Sequence, residues 1–531
     1  MAKATHSRDK GNSKRQKLAN ESDSAFAASD VDLPSPPLSD TSSVIVEVEE
    51  RRPRAGASVD PATSNLPARD QRTALPPDLQ LQGQSTQLAA PLPSRVHGAK
   101  ANVQGDFEKV ARRNGLFVDK SLLCKALYEA EGTPICVCFP RRFGKTFNLS
   151  VIEEFFNVVS NTDIAPEDGV VDHAAGRNSR LKLFERSVLH DDHREFFDEH
   201  FCKYPVIRIT LKEGGGVALG LFMLLEAAVL EAYASKCIVL LDEYDVPLVS
   251  IHGQAWETAA CNSYHQLISR IFEDNRNLEA GLLAGVQHVD LCDSFSGVNN
   301  IYMLPLAVAE GSAAPVIASD QIGDFGNLFA FSRADVAALV DAVKQQHPHL
   351  EKFSAESIMG KLTEWYDGYH FSSGAGKFNP HAVTMFIRAL CLPQLSPTLE
   401  KAADYYWEQT SEKQLIRSIT LANRASILQL APVLLAAYHA QHAGVVKLAD
   451  VWRAVPTSDS VVSENPDAII RVGLTRDCVA DDGLEKDMDE LVSLFVYSGY
   501  LTIRPGGHIA IPNREMCDVW QKMQAMSSSA E

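Results

Sequence analysis

An α/β fold built on a parallel sheet is what the sequence predicts, on three observations. Ile135–Phe139 is a short apolar run with the β-branched and cysteine content of a buried strand. It stops at Pro140, passes two arginines, and reaches Gly144-Lys145-Thr146, after which Leu149, Ile152, Phe155 and Phe156 recur at helical spacing. A second apolar run, Cys237–Leu241, ends directly in Asp242-Glu243-Tyr244-Asp245, and a strand pattern over Tyr204–Leu211 lies between the two. Strands that alternate with helical patterns form a parallel sheet covered on both faces, a three-layer α/β/α core.

Composition bounds the rest. The chain has 531 residues, 45% of them hydrophobic, which allows about two to four domains with a sizeable core. The net charge is −18. Residues 1–100 hold 13 Lys and Arg against 12 Asp and Glu, so the remainder carries −19. Such an acidic body gives no support to a nucleic-acid partner beyond a local basic patch. The ten cysteines include no C-x-x-C pair, so a zinc ribbon is not expected. With no signal peptide at the N-terminus, an intracellular, reducing location in nucleus or cytoplasm is expected. Val217–Ala234 is the most apolar long segment, but Glu226 and Glu231 interrupt it, so a buried helix is expected and no membrane span.

Taken in order, residues 1–100 are rich in Ser, Pro, Ala, Asp and Gln and are expected to form a disordered tail. Its basic clusters, Lys14-Arg15-Gln16-Lys17 and Arg51-Arg52-Pro53-Arg54, read either as nuclear-import signals or as ordinary solvated charge. Order is expected from Asp106, with Asp119 or Ser121 capping a helix through Leu122, Leu123, Ala126 and Leu127. The core then spans residues 106–335. Phe184–Phe201 reads as an acidic helical stretch, and Gly281–Val286 as a further strand whose end abuts the terminal phosphate in folds of this kind. Residues 336–490 read as a helical region, and residues 491–520 as a β segment with a Gly506-Gly507 hairpin turn.

The chemistry lies at the strand ends. Strand, tight loop, Gly-Lys-Thr and helix make up a P-loop, in which backbone N–H groups and a helix N-terminus face phosphates. Lys145 would reach the terminal phosphates, and the Thr146 hydroxyl would bind Mg²⁺. The full G-x-x-x-x-G-K-[ST] pattern has glycine where Phe139 stands, so the motif needs a partner. Asp242-Glu243 supplies it: a strand ending in Asp-Glu fits the Walker B pattern, with Asp242 holding Mg²⁺ opposite Thr146 and Glu243 orienting the attacking water. A solvated acidic turn at a strand end is common, and the strand order favours the catalytic reading here.

At this point the residues resemble the AAA-ATPase-like family, whose bacterial members are often joined to a PD-(D/E)XK nuclease. The resemblance rests on Phe117-Val118-Asp119-Lys120-Ser121, PRRFGKT at 140–146, LLDEYDVP at 240–247, FSGVNN at 295–300, Trp365-Tyr366-Asp367-Gly368-Tyr369 and Phe378-Asn379-Pro380. In that family a Pro-Arg-Arg-Phe-Gly-Lys run without the first glycine is normal. The resemblance implies an ATP-binding domain followed by helices and a winged-helix-like segment. It adds Phe143 to the loop with Gly144, Lys145 and Thr146, and sets Asp119 and Lys120 near the nucleotide, beside the base. Arg141 and Arg142 either contact phosphates or make structural ion pairs, and both readings stay open.

Two departures stand out. The family's arginine after the third strand appears as His288, and the segment from Leu211 to Cys237 is short. No Asp…Glu-x-Lys core follows Cys517, so nuclease activity is not expected. Two functions follow: a slow Mg²⁺-dependent ATPase or ATP-driven switch, or a hydrolysis-deficient nucleotide-binding module that engages an unassigned protein or nucleic acid. Switches of this kind can act as oligomers with an arginine supplied in trans, which the sequence does not assign.

Overall fold

The computed structural model describes residues 94–101, 104–130, 132–158, 173–211, 236–251, 257–273, 275–287, 301–304, 326–371, 376–392, 398–408, 413–440, 446–447, 488–504 and 508–529. The expected tail up to residue 93, the Val217–Ala234 helix, His288, the FSGVNN stretch and the Gly506-Gly507 turn lie outside them.

The chain enters through β1 (Val96–His97), α1 (Phe107–Arg112), β2 (Phe117–Val118) and α2 (Leu122–Tyr128). The core follows as β3 (Ile135–Cys138), α3 (Lys145–Phe156), α4 (His173–Phe184), α5 (Val188–Asp192), α6 (Arg194–His200), β4 (Val206–Thr210), β5 (Cys237–Asp242), α7 (Val246–Ile251), α8 (Glu257–Phe272), β6 (Leu278–Gly285) and β7 (Tyr302–Met303). Then come α9 (Gly326–Phe329), α10 (Arg333–Gln346), α11 (Ala355–Tyr366), α12 (Pro380–Cys391), α13 (Leu399–Ala402), α14 (Lys413–Ala422) and α15 (Arg424–His439). The described chain closes with β8 (Val446–Lys447), α16 (Met488–Tyr497), β9 (Thr502–Arg504), β10 (His508–Ala510) and α17 (Arg514–Ser528).

The central sheet has the order β4-β5-β6-β3-β7, and every pairing in it is parallel. β3 and β5 are buried at every position, which explains their continuous apolar runs: strands covered on both faces have no solvent side on which to alternate. β6 inserts between β3 and β5, so the loop after β3 and the acidic turn leave the same edge of the sheet two strands, or roughly 10 Å, apart. The ends of parallel strands nearest their C-termini are where α/β sheets bind ligands.

Local sequence sets the helix starts. Ser332 and Asp335 form a reciprocal capping box on α10, Asn379 caps α12 with Pro380 in its first turn, and Asn513 caps α17. Phe184–Phe201 is not one helix. Glu185-Arg186-Ser187 ends α4, Ser187 caps α5, and His193 at φ −127°, ψ 47° parts α5 from α6. Phe155, Phe184, Phe197 and Phe201 draw these short helices onto α3 by ring contacts of 4.7–6.3 Å.

Two buried clusters form. One joins the sheet to Trp407, Ile427, Leu434, Phe495, Tyr500 and Trp520. The other joins Val118 to α10, α11 and α12 through Val336, Leu362, Phe378 and Phe386. The C-terminal hairpin, β9 against β10 with β8 on the far edge of β10, therefore shares its core with the parallel sheet. At roughly 1.5–3 kcal/mol for each fully buried large apolar side chain, that shared core is a substantial tie between residues far apart in sequence.

Candidate nucleotide site

The loop after β3 is aromatic where the general motif is glycine. Phe139 stacks on Phe329 at 4.9 Å and meets Phe371 edge-on at 5.0 Å. Phe143, fully buried, packs edge-on against Tyr369 at 5.0 Å and Phe371 at 5.3 Å. Between them Arg141 and Arg142 are exposed. Arg142 adopts φ +68°, and Gly144 closes the loop at φ +80°. A Cβ at Gly144 would find its nearest neighbour at 3.7 Å, so glycine is required there for its backbone freedom and not for space.

Lys145 opens α3 with only 8% of its surface exposed. Its Nζ donates to the carbonyls of Phe139 (2.7 Å) and Pro140 (3.0 Å), spanning the loop from inside. Burial pushes its pKa down to about 8, against the opposing pull of the Asp245 and Asp242 carboxylates. Thr146 is exposed on the first turn, and its carbonyl accepts from Arg208 Nη2 of β4 at 3.2 Å. Arg208 is itself anchored to Glu153 at 2.9 Å.

Across β6, Asp242 ends β5 with 1% exposure, and its Oδ1 has no hydrogen-bond partner among the described residues. A buried carboxylate oxygen in that condition is costly unless a ligand or water completes it. Glu243 follows, half-buried, in the left-handed region at φ +56°. The turn is then pinned to the end of β6. Tyr244 N–H donates to Ala284 O (3.2 Å), its hydroxyl donates to Gln287 O (2.8 Å), and Tyr264 donates to Tyr244 O (2.6 Å). Asp245 Oδ2 accepts from the N–H groups of Val286 (3.0 Å) and Gln287 (2.8 Å). Burial raises its pKa, in opposition to those bonds and to Lys145. Gly285 makes the junction tight: a Cβ there would lie 2.5 Å from Tyr244 and 2.6 Å from Asp245.

Asp119 stands on another flank. Its Oδ1 accepts from Ser121 N–H (2.8 Å), its Oδ2 accepts from Val188 N–H (2.6 Å), and His97 Nε2 lies 3.5 Å away. Burial would raise its pKa, yet the His97, Ser121 and Val188 contacts hold it below the ordinary value. The neighbouring Phe117 packs against Phe147 at 6.3 Å, one residue past Thr146, so this strand borders the first turn of α3. Lys120 makes a buried ion pair with Asp335 at 2.8 Å.

The predicted loop residues and Asp242-Glu243 thus converge at one edge of the sheet. One carboxylate and one hydroxyl, Asp242 and Thr146, are a donor set that Mg²⁺ accepts together with phosphate oxygens and water. Sequence reasoning passed over Asp245, Gly285 and Gln287. Asp245 lay inside the quoted LLDEYDVP, where its spacing from Asp242 was a usable signal. Gln287 donates from Nε2 to Ser498 Oγ at 3.1 Å, a contact across 211 residues that no local pattern announces.

A family model, AAA-ATPase-like, described as a predicted AAA-ATPase, matches residues 103–167. The match takes in β2, β3, the loop after it and α3, and stops before β4. No curated protein and no solved structure matches the chain.

Proposed function

We propose that this chain, which carries an AAA-ATPase-like domain over its P-loop segment, binds ATP with Mg²⁺ at the edge where β3, β6 and β5 end, and hydrolyses it slowly to drive a switch. The observation that carries this reading is a buried lysine and a buried carboxylate oxygen with no hydrogen-bond partner among the described residues, at the same end of one parallel sheet. Lys145 and the N-terminus of α3 hold the phosphates, Gly144 and Phe143 keep the loop closed over them, and Arg141 and Arg142 reach them from its exposed side. Thr146 and Asp242 hold the ion. Bound Mg²⁺ neutralises charge on the phosphate oxygens. Glu243 orients and polarises the attacking water, and Asp119 fixes the strand that borders the nucleotide.

Calorimetry on the full chain tests this. Mg-ATP binds the wild type and fails to bind Lys145→Ala, and phosphate release is abolished in Glu243→Gln. An absence of ATP binding to the wild type refutes the reading. Tight binding with turnover equal to that of Glu243→Gln assigns the chain to the hydrolysis-deficient class, whose output is an interaction.

A further inference from the structure

The loop between Phe139 and Phe143 is shaped from outside itself. Its left-handed arginine and its aromatic first position give it little intrinsic preference for a closed P-loop. Residues far downstream supply the constraint. Trp407 Nε1 donates to Arg141 O at 2.9 Å. Gly499, at φ +85°, lies so close that a Cβ there would sit 2.8 Å from Pro140 Cβ and 3.4 Å from the Trp407 ring. Tyr369 and Phe371 enclose Phe143, and Phe371 also meets Phe139. Trp407 is fixed in turn, with its backbone N–H donating to Glu515 Oε1 at 2.9 Å and its ring edge-on to Tyr500 at 4.9 Å.

We propose that Trp407 and Gly499 are positioning residues of the phosphate-binding loop, so that the C-terminal region supplies half of the loop's architecture. This rests on the nucleotide reading given above. The physical link is one peptide plane. The carbonyl of Arg141 and the N–H of Arg142 belong to the same trans peptide and point in opposite directions. By holding the carbonyl, Trp407 sets the plane of this peptide and leaves the Arg142 N–H facing away from the indole. Consecutive N–H groups turned to one side make an anion-binding nest. Without the indole bond the peptide is free to rotate, and the nest loses a donor. Pro140 seated on Gly499 keeps the start of the loop from lifting.

The test uses the full chain and two probes, Mg-ATP and inorganic tripolyphosphate. Trp407→Phe keeps the ring and removes the N–H. Its affinity for both probes falls by a similar factor, about three- to tenfold, the range set by one net hydrogen bond. The chain has five tryptophans, and the change in tryptophan fluorescence on adding Mg-ATP disappears in Trp407→Phe. Gly499→Ala weakens both probes as well. Should that variant fail to fold, Trp407→Phe decides alone. Wild-type affinity together with an unchanged fluorescence response in Trp407→Phe overturns the inference and leaves the nucleotide reading standing. A wild type that binds neither probe overturns both.

Discussion

Glu515 opens α17 with its carboxyl buried beneath Trp407, and Oε1 accepts the N–H groups of Trp407 (2.9 Å) and Glu408 (3.0 Å). Burial outweighs those bonds and pushes its pKa from the ordinary 4.5 to about 8. At pH 7 the folded chain therefore keeps Glu515 protonated, while the unfolded chain ionises it. The native state binds more protons between the two values, so stability falls as pH rises from about 4.5 toward about 8, then levels off. At about 1.36 kcal/mol per decade, the interval sets an upper limit of roughly 5 kcal/mol, and water entry and relaxation reduce it. Glu515→Gln keeps an oxygen for both N–H groups and has no charge to bury. The variant is expected to match the wild type near pH 5 and to exceed its stability by about 2–4 kcal/mol at pH 9. Urea denaturation followed by circular dichroism at pH 5, 7 and 9 measures the difference, and other titrating groups cancel between the two proteins. A difference that stays flat across that range refutes the reasoning.

Two further outcomes follow from packing. Gly285→Ala drives a methyl into Tyr244 and Asp245, both tied by hydrogen bonds, and lowers stability by about 1–3 kcal/mol. Gly360→Ala, in α11 with nothing among the described residues within 4 Å of the new methyl, raises it by about 1 kcal/mol, both differences being read by the same urea denaturation. Asp335→Ala strips Lys120 of its buried carboxylate partner and costs about 3–5 kcal/mol. Adding Lys120→Met recovers part of that loss, and a double-mutant cycle that shows strict additivity would count against a coupled pair.

The strands and the helix α3 were legible in the sequence because their signals are local. Ile135–Cys138 and Cys237–Asp242 are unbroken apolar runs since both faces of the sheet are covered, and Gly144-Lys145 marks the start of α3 by residue type alone. The stretch Phe184–Phe201 read as acidic and helical in pattern, and it is helical in short pieces. What breaks it is Ser187 and His193, a cap and a backbone kink that weigh little in a periodicity count. The partners of Asp245, Gln287 and Trp407 were illegible for another reason, although the position of Asp245 beside Asp242 was a signal. Asp245 acts on N–H groups 41 and 42 residues away, and Trp407 on a carbonyl 266 residues away, so their roles exist only once the chain is folded. Phe139 looked like a defect for the same cause, because the rings that accept it, Phe329 and Phe371, come much later.

The seat of Pro140 on Gly499 also bears on the order in which the molecule can be made. Synthesis proceeds from the N-terminus, so Lys145 leaves the ribosome long before its loop has anything to lean on. At about 5–20 residues per second, the stretch from Lys145 to Gly499 takes roughly 20–70 s to synthesise. For the first part of that interval the end of β3, with Phe139 and Phe143 beside it, has neither Tyr369 nor Phe371 to cover it, and Pro140 waits for Gly499 to the end. The nascent chain thus exposes an aromatic loop beside an unfilled sheet, and the loop after β3 is among the last parts to close although its residues are among the first to appear.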